Sequence, residues 1–233
     1  NKDHIVIPHG NYTYFGERKN KKEAKKELGL NDQFLILHIG AIRKMKELEN
    51  IYTFAEKVSE MGANFIIHST VNIPRVNVFG FNCSILIKRF KQEMQIRQAV
   101  SKINRVKGVT IDERKVSFED MSTLISAADI LLIPRVDSLN SGNVPLGFTY
   151  GCVVLGPDIG NIGEILRDNN NPVFSPSKDK EDLHTALKEA FSAAKNGIGE
   201  FNYKVATNDW NWDLIGFQQK KFFEHLLLKR GLL

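Results

Sequence analysis

Two patterns of apolar residues alternate along this chain. Residues 34–40 (FLILHIG) are apolar almost without a break, whereas 47–62 (ELENIYTFAEKVSEMG) place Leu48, Ile51, Phe54, Ala55 and Val58 at the spacing of one helix face. A continuous apolar run predicts a strand buried on both sides. The same reading predicts strands at 63–70, 108–111, 130–134 (ILLIP), 152–156 (CVVLG) and 172–176 (PVFSP). Helices are predicted at 20–29, where a charged pattern ends on a glycine, and over about 84–106. Ser117 and Asp120 form a capping box that opens a helix running to Ala128. Residues 179–197 and 210–230 carry two more helical patterns.

Strand, helix, strand, helix, with strands apolar throughout, gives an α/β fold: a parallel sheet with helices on both faces. Ligands of such sheets bind beyond the carboxyl ends of the strands, where the strand order reverses. The loops that leave the strands are therefore where chemistry is expected. Residues 1–16 read as a linker, because the extended run HIVIP stops at Pro8 and His9-Gly10-Asn11 is turn chemistry.

Composition narrows this picture. With 233 residues, 42% hydrophobic and 25% charged, the chain suits one large soluble domain or two small ones. A net charge of +5 suits anionic partners, whether phosphates, nucleic acid or an acidic membrane face, and equally suits a mildly basic surface with none. The two cysteines, Cys83 and Cys152, form no CxxC pair and no zinc-like spacing with histidine, and an apolar setting for Cys152 fits a reducing compartment. No apolar run is long enough to span a bilayer. The N-terminal NKDHIVIPHG is no signal peptide and lacks an initiator methionine, as a segment of a longer protein would. No aromatic-basic stripe or nucleic-acid motif is present.

Three loops carry candidate chemistry. After the strand at 34–40, Gly40 turns the chain, and Arg43 and Lys46 lie just ahead of a helix. Two cations beside a helix N-terminus suit a diphosphate, or are solvated charges at a helix start. After 108–111, the backbone at Lys115 and Val116 leads into the capped helix, and offers amides to a nucleobase or is an ordinary connection. After 130–134, Asn140, Ser141, Gly142 and Asn143 present backbone amides at the start of a short apolar helix containing Val144, Pro145, Leu146 and Phe148. That arrangement binds anions without a charged side chain, or is a polar loop before a buried helix.

The succession VIPHG (6–10), HIGAIRKMK (38–46), ADILLIP (128–134) and SGNVPLGFTYGCVVLGPDIGNIGEIL (141–166) resembles the C-terminal, Rossmann-like domain of the GT-B glycosyltransferases. The likeness is to the retaining group called glycosyltransferase family 4, or group 1. It covers nearly the whole chain. The resemblance implies a donor-binding domain over 17–206, an interdomain linker over 1–16, and a C-terminal helix over 207–233 that returns toward an N-terminal domain outside this chain. The donor would be a nucleotide-diphosphate sugar. The acceptor would be a glycan or lipid-linked molecule in polysaccharide biosynthesis, in the cytoplasm, with peripheral contact at the inner membrane face. Arg43 and Lys46 would act catalytically, gripping the diphosphate as the nucleotide leaves, so that neither metal nor cofactor is required. Gly40, Val116, Ser141, Gly142, Asn143 and Glu164 would line the donor, and His9 and Gly10 would face the cleft. On this reading the chain alone transfers nothing.

One departure is plain. Many relatives carry two glutamates with seven residues between them across the 138–151 loop, and counting back from Gly151 puts those positions at Ser138 and Leu146. Either the Ser-Gly-Asn turn replaces them through backbone, or the domain has lost activity and is a GT-B-like binding module. A sugar-nucleotide epimerase is the further alternative, but it needs carboxylates near the donor sugar, and these loops are poor in them. Among the remaining residues, His38 and His68 read as strand residues, and Trp210 and Trp212 as anchors of the last helix. The Lys/Arg positions of 84–107 read as a solvated helix face that would also suit an anionic membrane.

Overall fold

A computed structural model describes residues 4–73, 83–114, 116–177 and 179–230. Among these, six strands form one parallel sheet: β1 (Leu35–Ile39), β2 (Asn64–His68), β3 (Val109–Asp112), β4 (Ile130–Leu132), β5 (Val153–Pro157) and β6 (Val173–Phe174). Their order is β3-β2-β1-β4-β5-β6. The chain starts in the middle, builds outward to β3, then returns to β4 and builds the other way. The reversal between β1 and β4 is the topological switch point.

The helices are α1 (Lys21–Glu27), α2 (Met45–Glu60), α3 (Cys83–Asn104), α4 (Phe118–Ala127), α5 (Asn143–Thr149), α6 (Gly160–Asp168), α7 (Lys180–Lys195), α8 (Ile198–Asn208) and α9 (Trp212–Lys229). They cover both faces of the sheet. On one face, Ile36, Ile67, Ile130, Leu132, Val153 and Leu155 pack against α2, α7 and Ile103 of α3. On the other, Leu35, Leu37, Leu131, Ile133 and Val154 pack against α1, α4, α5, α6 and α8. Successive strand side chains point to opposite faces, so a strand covered on both must be apolar at every position. That is why β1 and β5 read as unbroken apolar runs. Each such leucine or isoleucine contributes about 1.5–3 kcal/mol relative to an exposed one.

Polar anchors fix the helices to this sheet. Asn20 caps α1 by accepting the Lys22 N–H at 3.0 Å, and Ser117 caps α4 by accepting the Asp120 N–H at 3.0 Å. Asp129, just before β4, is ion-paired with Lys25 at 2.7 Å and Lys21 at 3.0 Å and accepts the Leu35 N–H at 2.9 Å, which ties α1 to the sheet.

Residues 4–12 have no regular structure and lead into a short 3-10 turn at Thr13–Phe15. This segment is laced to the end of the domain. The Asn11 N–H donates to the Trp210 carbonyl at 2.8 Å, and the Trp212 indole donates to the Asn11 carbonyl at 2.9 Å. The last helix starts at Trp212 rather than 210 because Asn211 caps it. Two helices stand outside the predicted ones, although Ile162, Ile165 and Leu166 in α6 and Ile198, Phe201 and Val205 in α8 lie at helical spacing. α6 occupies what reads as a loop around Glu164, and α8 runs through the 206–207 boundary. Among the described residues no helix is long and apolar enough to cross a membrane.

Candidate functional site

The loop after β1 is built on Gly40, whose φ of +119 favours glycine. A Cβ there would meet nothing within 4 Å, so backbone conformation rather than space sets the requirement. The Ser69 hydroxyl donates to the Gly40 carbonyl at 2.5 Å, and Ile42 is buried and bridged to Val71. α2 then begins with Lys44 at its N-cap and no side-chain cap from that residue. Glu47 supplies the missing acceptor. Its carboxylate takes the Arg43 N–H at 2.7 Å and pairs with Arg135, beyond β4, at 3.2 Å. Glu47 is only 1% exposed, so the pair is a buried stitch across the switch point. A carboxylate in the first turn also suits the helix dipole.

This stitch leaves Arg43 and Lys46 outside. Both are exposed; the Arg43 guanidinium has no ion pair among the described residues, and Lys46 lies 3.8 Å from exposed Glu49. Lys44 is ion-paired with Asp137, which follows β4, so a second and exposed link crosses the same gap.

The loop after β4 meets this one. The Asn143 side-chain amide donates to the Ile39 carbonyl at 2.7 Å. The Asn143 and Val144 N–H groups are taken within the turn, by the Ser141 hydroxyl at 3.3 Å and the Ser141 carbonyl at 3.2 Å. The N–H groups of Ser141 and Gly142 have no partner among the described residues. Gly142 lies against the Tyr12 hydroxyl, so close that a side chain there would meet it. Ser138 donates to the Asn140 carbonyl, and Leu146 is buried in the core.

His9, stacked on Tyr12 at 5.3 Å, lines a groove of ≈ 640 Å³ with Pro8, Ser141, Gly142, Ile162 and Trp210. Gly10 is buried under the Trp212 ring rather than lining that groove. Glu164 is exposed in α6, without an ion pair or a hydrogen bond to the 141–143 turn among the described residues.

Beyond β3, Val116 lines a second groove, of ≈ 710 Å³, with His68, Thr110, Asp112, Arg114 and Asp120. Lys115 lies outside the described residues. Hydrogen bonds from the Arg114 side chain and N–H hold the Asp112 carboxyl well below the usual carboxylate range. Near the switch point, His38 is buried with Nδ1 at 3.1 Å from the Leu132 carbonyl and Nε2 without a partner among the described residues. Burial, with a smaller contribution from Arg135, lowers its pKa to about 4, so it is neutral.

Sheet order sets these three loops in a line. Val116 follows β3, the Gly40–Lys46 loop follows β1 two strands away, and Ser141–Asn143 follows β4 next to it. At 4.7–4.9 Å per strand the row spans roughly 14 Å. Among the described residues no three His, Cys, Asp or Glu side chains gather as a metal site. Glu47, Arg135 and Tyr12 are the residues of this edge that no motif marks, because their partners are remote in sequence.

No family model and no curated protein sequence matches the chain. Its fold does recur among solved structures. Sucrose-phosphate synthase from Thermosynechococcus elongatus superposes with a TM-score of 0.68 at 16% identity, over 97% of this chain and 53% of that one. Anabaena Alr3699/HepE, solved in complex with UDP and glucose, gives 0.65 at 14%, over 95% of this chain and 57% of that one. The C-terminal domain of a group 1 family glycosyl transferase (LpcC) from Francisella tularensis gives 0.62 at 17%, over 85% of this chain and 96% of that domain. The chain thus spans about half the length of the first two and nearly all of the third. It has the Rossmann-like α/β fold of the C-terminal half of GT-B glycosyltransferases.

Proposed function

We propose that this chain is the donor-binding half of a retaining glycosyltransferase, taking a sugar from a nucleotide-diphosphate sugar to a glycan or lipid-linked acceptor. The observation that carries the reading is the row of loops. A nucleotide sugar is itself linear, base, then diphosphate, then sugar. Laid along this edge it would put the base at Val116, the diphosphate at Arg43 and Lys46, and the sugar at Ser141 and Gly142. That a structure with the same fold was solved with UDP and glucose supports it.

In the reaction, the bond from the sugar's anomeric carbon to the diphosphate oxygen breaks and an acceptor oxygen takes its place. The acceptor's proton leaves with the diphosphate. Negative charge grows on the leaving oxygen, where Arg43 and Lys46 stabilise it without a metal. Gly40 sets the turn that presents both cations, and the unpartnered N–H groups of Ser141 and Gly142 would receive donor oxygens. Glu164, exposed on α6, would contact the donor sugar. The acceptor would be held by an N-terminal domain outside this chain, joined through 1–16 and embraced by 207–233. A buried free thiol at Cys152 fits the reducing cytoplasm.

A non-catalytic binding domain is favoured by one observation: Leu146 faces the core, so no side chain at that position reaches a donor. Calorimetric titration with UDP, GDP and their monophosphates tests both readings. Binding of a diphosphate above its monophosphate, lost in Arg43→Ala/Lys46→Ala, is expected. Equal binding of mono- and diphosphates, unchanged in that variant, would overturn the donor assignment.

A further inference from the structure

α3 is longer than the sheet it crosses. Its 22 residues rise about 33 Å, whereas β2 and β3, of five and four residues, rise roughly 17 Å or less. The excess lies at one end. Ile103 is 0% exposed in the core, and Ile96 and Val100 share a shallow groove with Val71 and Glu113, which stand just beyond the ends of β2 and β3. Gln95 and Ala99 likewise share a groove with Met45 and Lys46, at the start of α2. The part of α3 before residue 95 therefore projects past the carboxyl edge of the sheet, beside the candidate site.

That projecting half carries an apolar stripe that no other described element covers. Ile87, Phe90 and Met94 are 52%, 66% and 43% exposed, and their spacing of i, i+3 and i+7 puts them on one face. Lys91 borders the stripe on one side with Lys88 a step further round, and with Arg89 they are exposed and have no ion pair among the described residues; on the other side Glu93 is paired with Arg97 at 3.6 Å. No acidic residue occurs from Cys83 to Gln92. An exposed apolar stripe edged by unneutralised cations is the pattern of a helix lying in the boundary of an anionic bilayer. Lysine stems lie along the apolar surface while their ammonium groups reach the phosphates.

We propose that the projecting half of α3 is a membrane-docking surface, with Ile87, Phe90 and Met94 in the lipid boundary and Lys88 and Lys91 at anionic headgroups. It would hold the carboxyl edge of the sheet, with its three loops, at the membrane surface. The inference is independent of the donor assignment, because it rests on α3 alone.

Co-sedimentation of the chain with vesicles tests it. Vesicles of phosphatidylcholine with roughly one-third phosphatidylglycerol should bind the chain at least tenfold better than phosphatidylcholine alone. Phe90→Ser and Lys88→Ala/Lys91→Ala should each lose that binding at unchanged melting temperature, since all three side chains are exposed. Binding by anionic vesicles that is unchanged in Phe90→Ser would overturn the proposal. So would no binding at all, including the case in which the stripe instead pairs two copies, seen as concentration-dependent sedimentation that Phe90→Ser abolishes.

Discussion

The Asn143 side chain donates to the Ile39 carbonyl at 2.7 Å, so one amide joins the loops on either side of the sheet's reversal point. Asn143→Ala would leave the β1 end without this partner. A partly buried carbonyl deprived of its donor costs about 1–2 kcal/mol, which urea denaturation would read as a lower midpoint at constant slope. Asn143→Asp, of the same shape without the donor, should be no better.

The Glu47–Arg135 pair lies deeper. Glu47→Ala strands both the Arg43 N–H and the Arg135 guanidinium, and breaking a buried pair from one side costs about 3 kcal/mol. Glu47→Gln keeps an acceptor for the Arg43 N–H and should recover part of that loss. If the two variants prove equally stable, the charge matters and the loop hydrogen bond does not.

Lys44 is held by Asp137 across the same gap, and both are exposed. A diphosphate arriving between these loops would compete for Lys44. Asp137→Ala should therefore tighten UDP binding by a few fold at low salt, with a difference that shrinks as salt rises. Calorimetry at two ionic strengths measures it.

His38 predicts a pH dependence. Its pKa of about 4 in the folded chain is below the ordinary 6.5, so the unfolded chain binds the extra proton first. Stability from this group is full above about 6.5 and falls as pH drops toward 4, by an amount on the order of 3 kcal/mol. Chemical denaturation of wild type and His38→Gln between pH 7 and 4 should show the shallower acid slope in the variant.

Cys152 is buried, and burial pushes its thiol up to about 12. It should resist alkylation in the native chain and react only at the rate of unfolding. Mass spectrometry of the 152-containing peptide, with and without urea, would show this.

Much of the architecture is legible because burial on both faces writes itself into β1 and β5 as unbroken apolar runs. α8 is not legible for the opposite reason. Asn202, in its middle, is fully buried and hydrogen-bonded to Asn171 and the Cys152 carbonyl, so a polar residue stands where helical spacing asks for an apolar one. The candidate loops are visible as breaks after strands, and the small residues of 140–143 mark one of them. What joins the loops is not visible. Glu47 reads as one more charge in a helix, and its partner Arg135 is 88 residues away. The Tyr12 hydroxyl against Gly142 is likewise a product of packing. Strand order, which puts Val116, Gly40 and Ser141 in a row, arises only when the sheet assembles.

The lacing of Asn11 to Trp210 and Trp212 joins residues up to 201 apart. Topologically, the folded body is a closed ring with two tails leaving at one point. A ring can be cut elsewhere. A permuted chain that links Asn11 to Trp210 directly and opens at an exposed turn such as Gly62 should keep the same body. Residues 4–10 and α9 share one pivot, so a pull on either tail is felt at the same place.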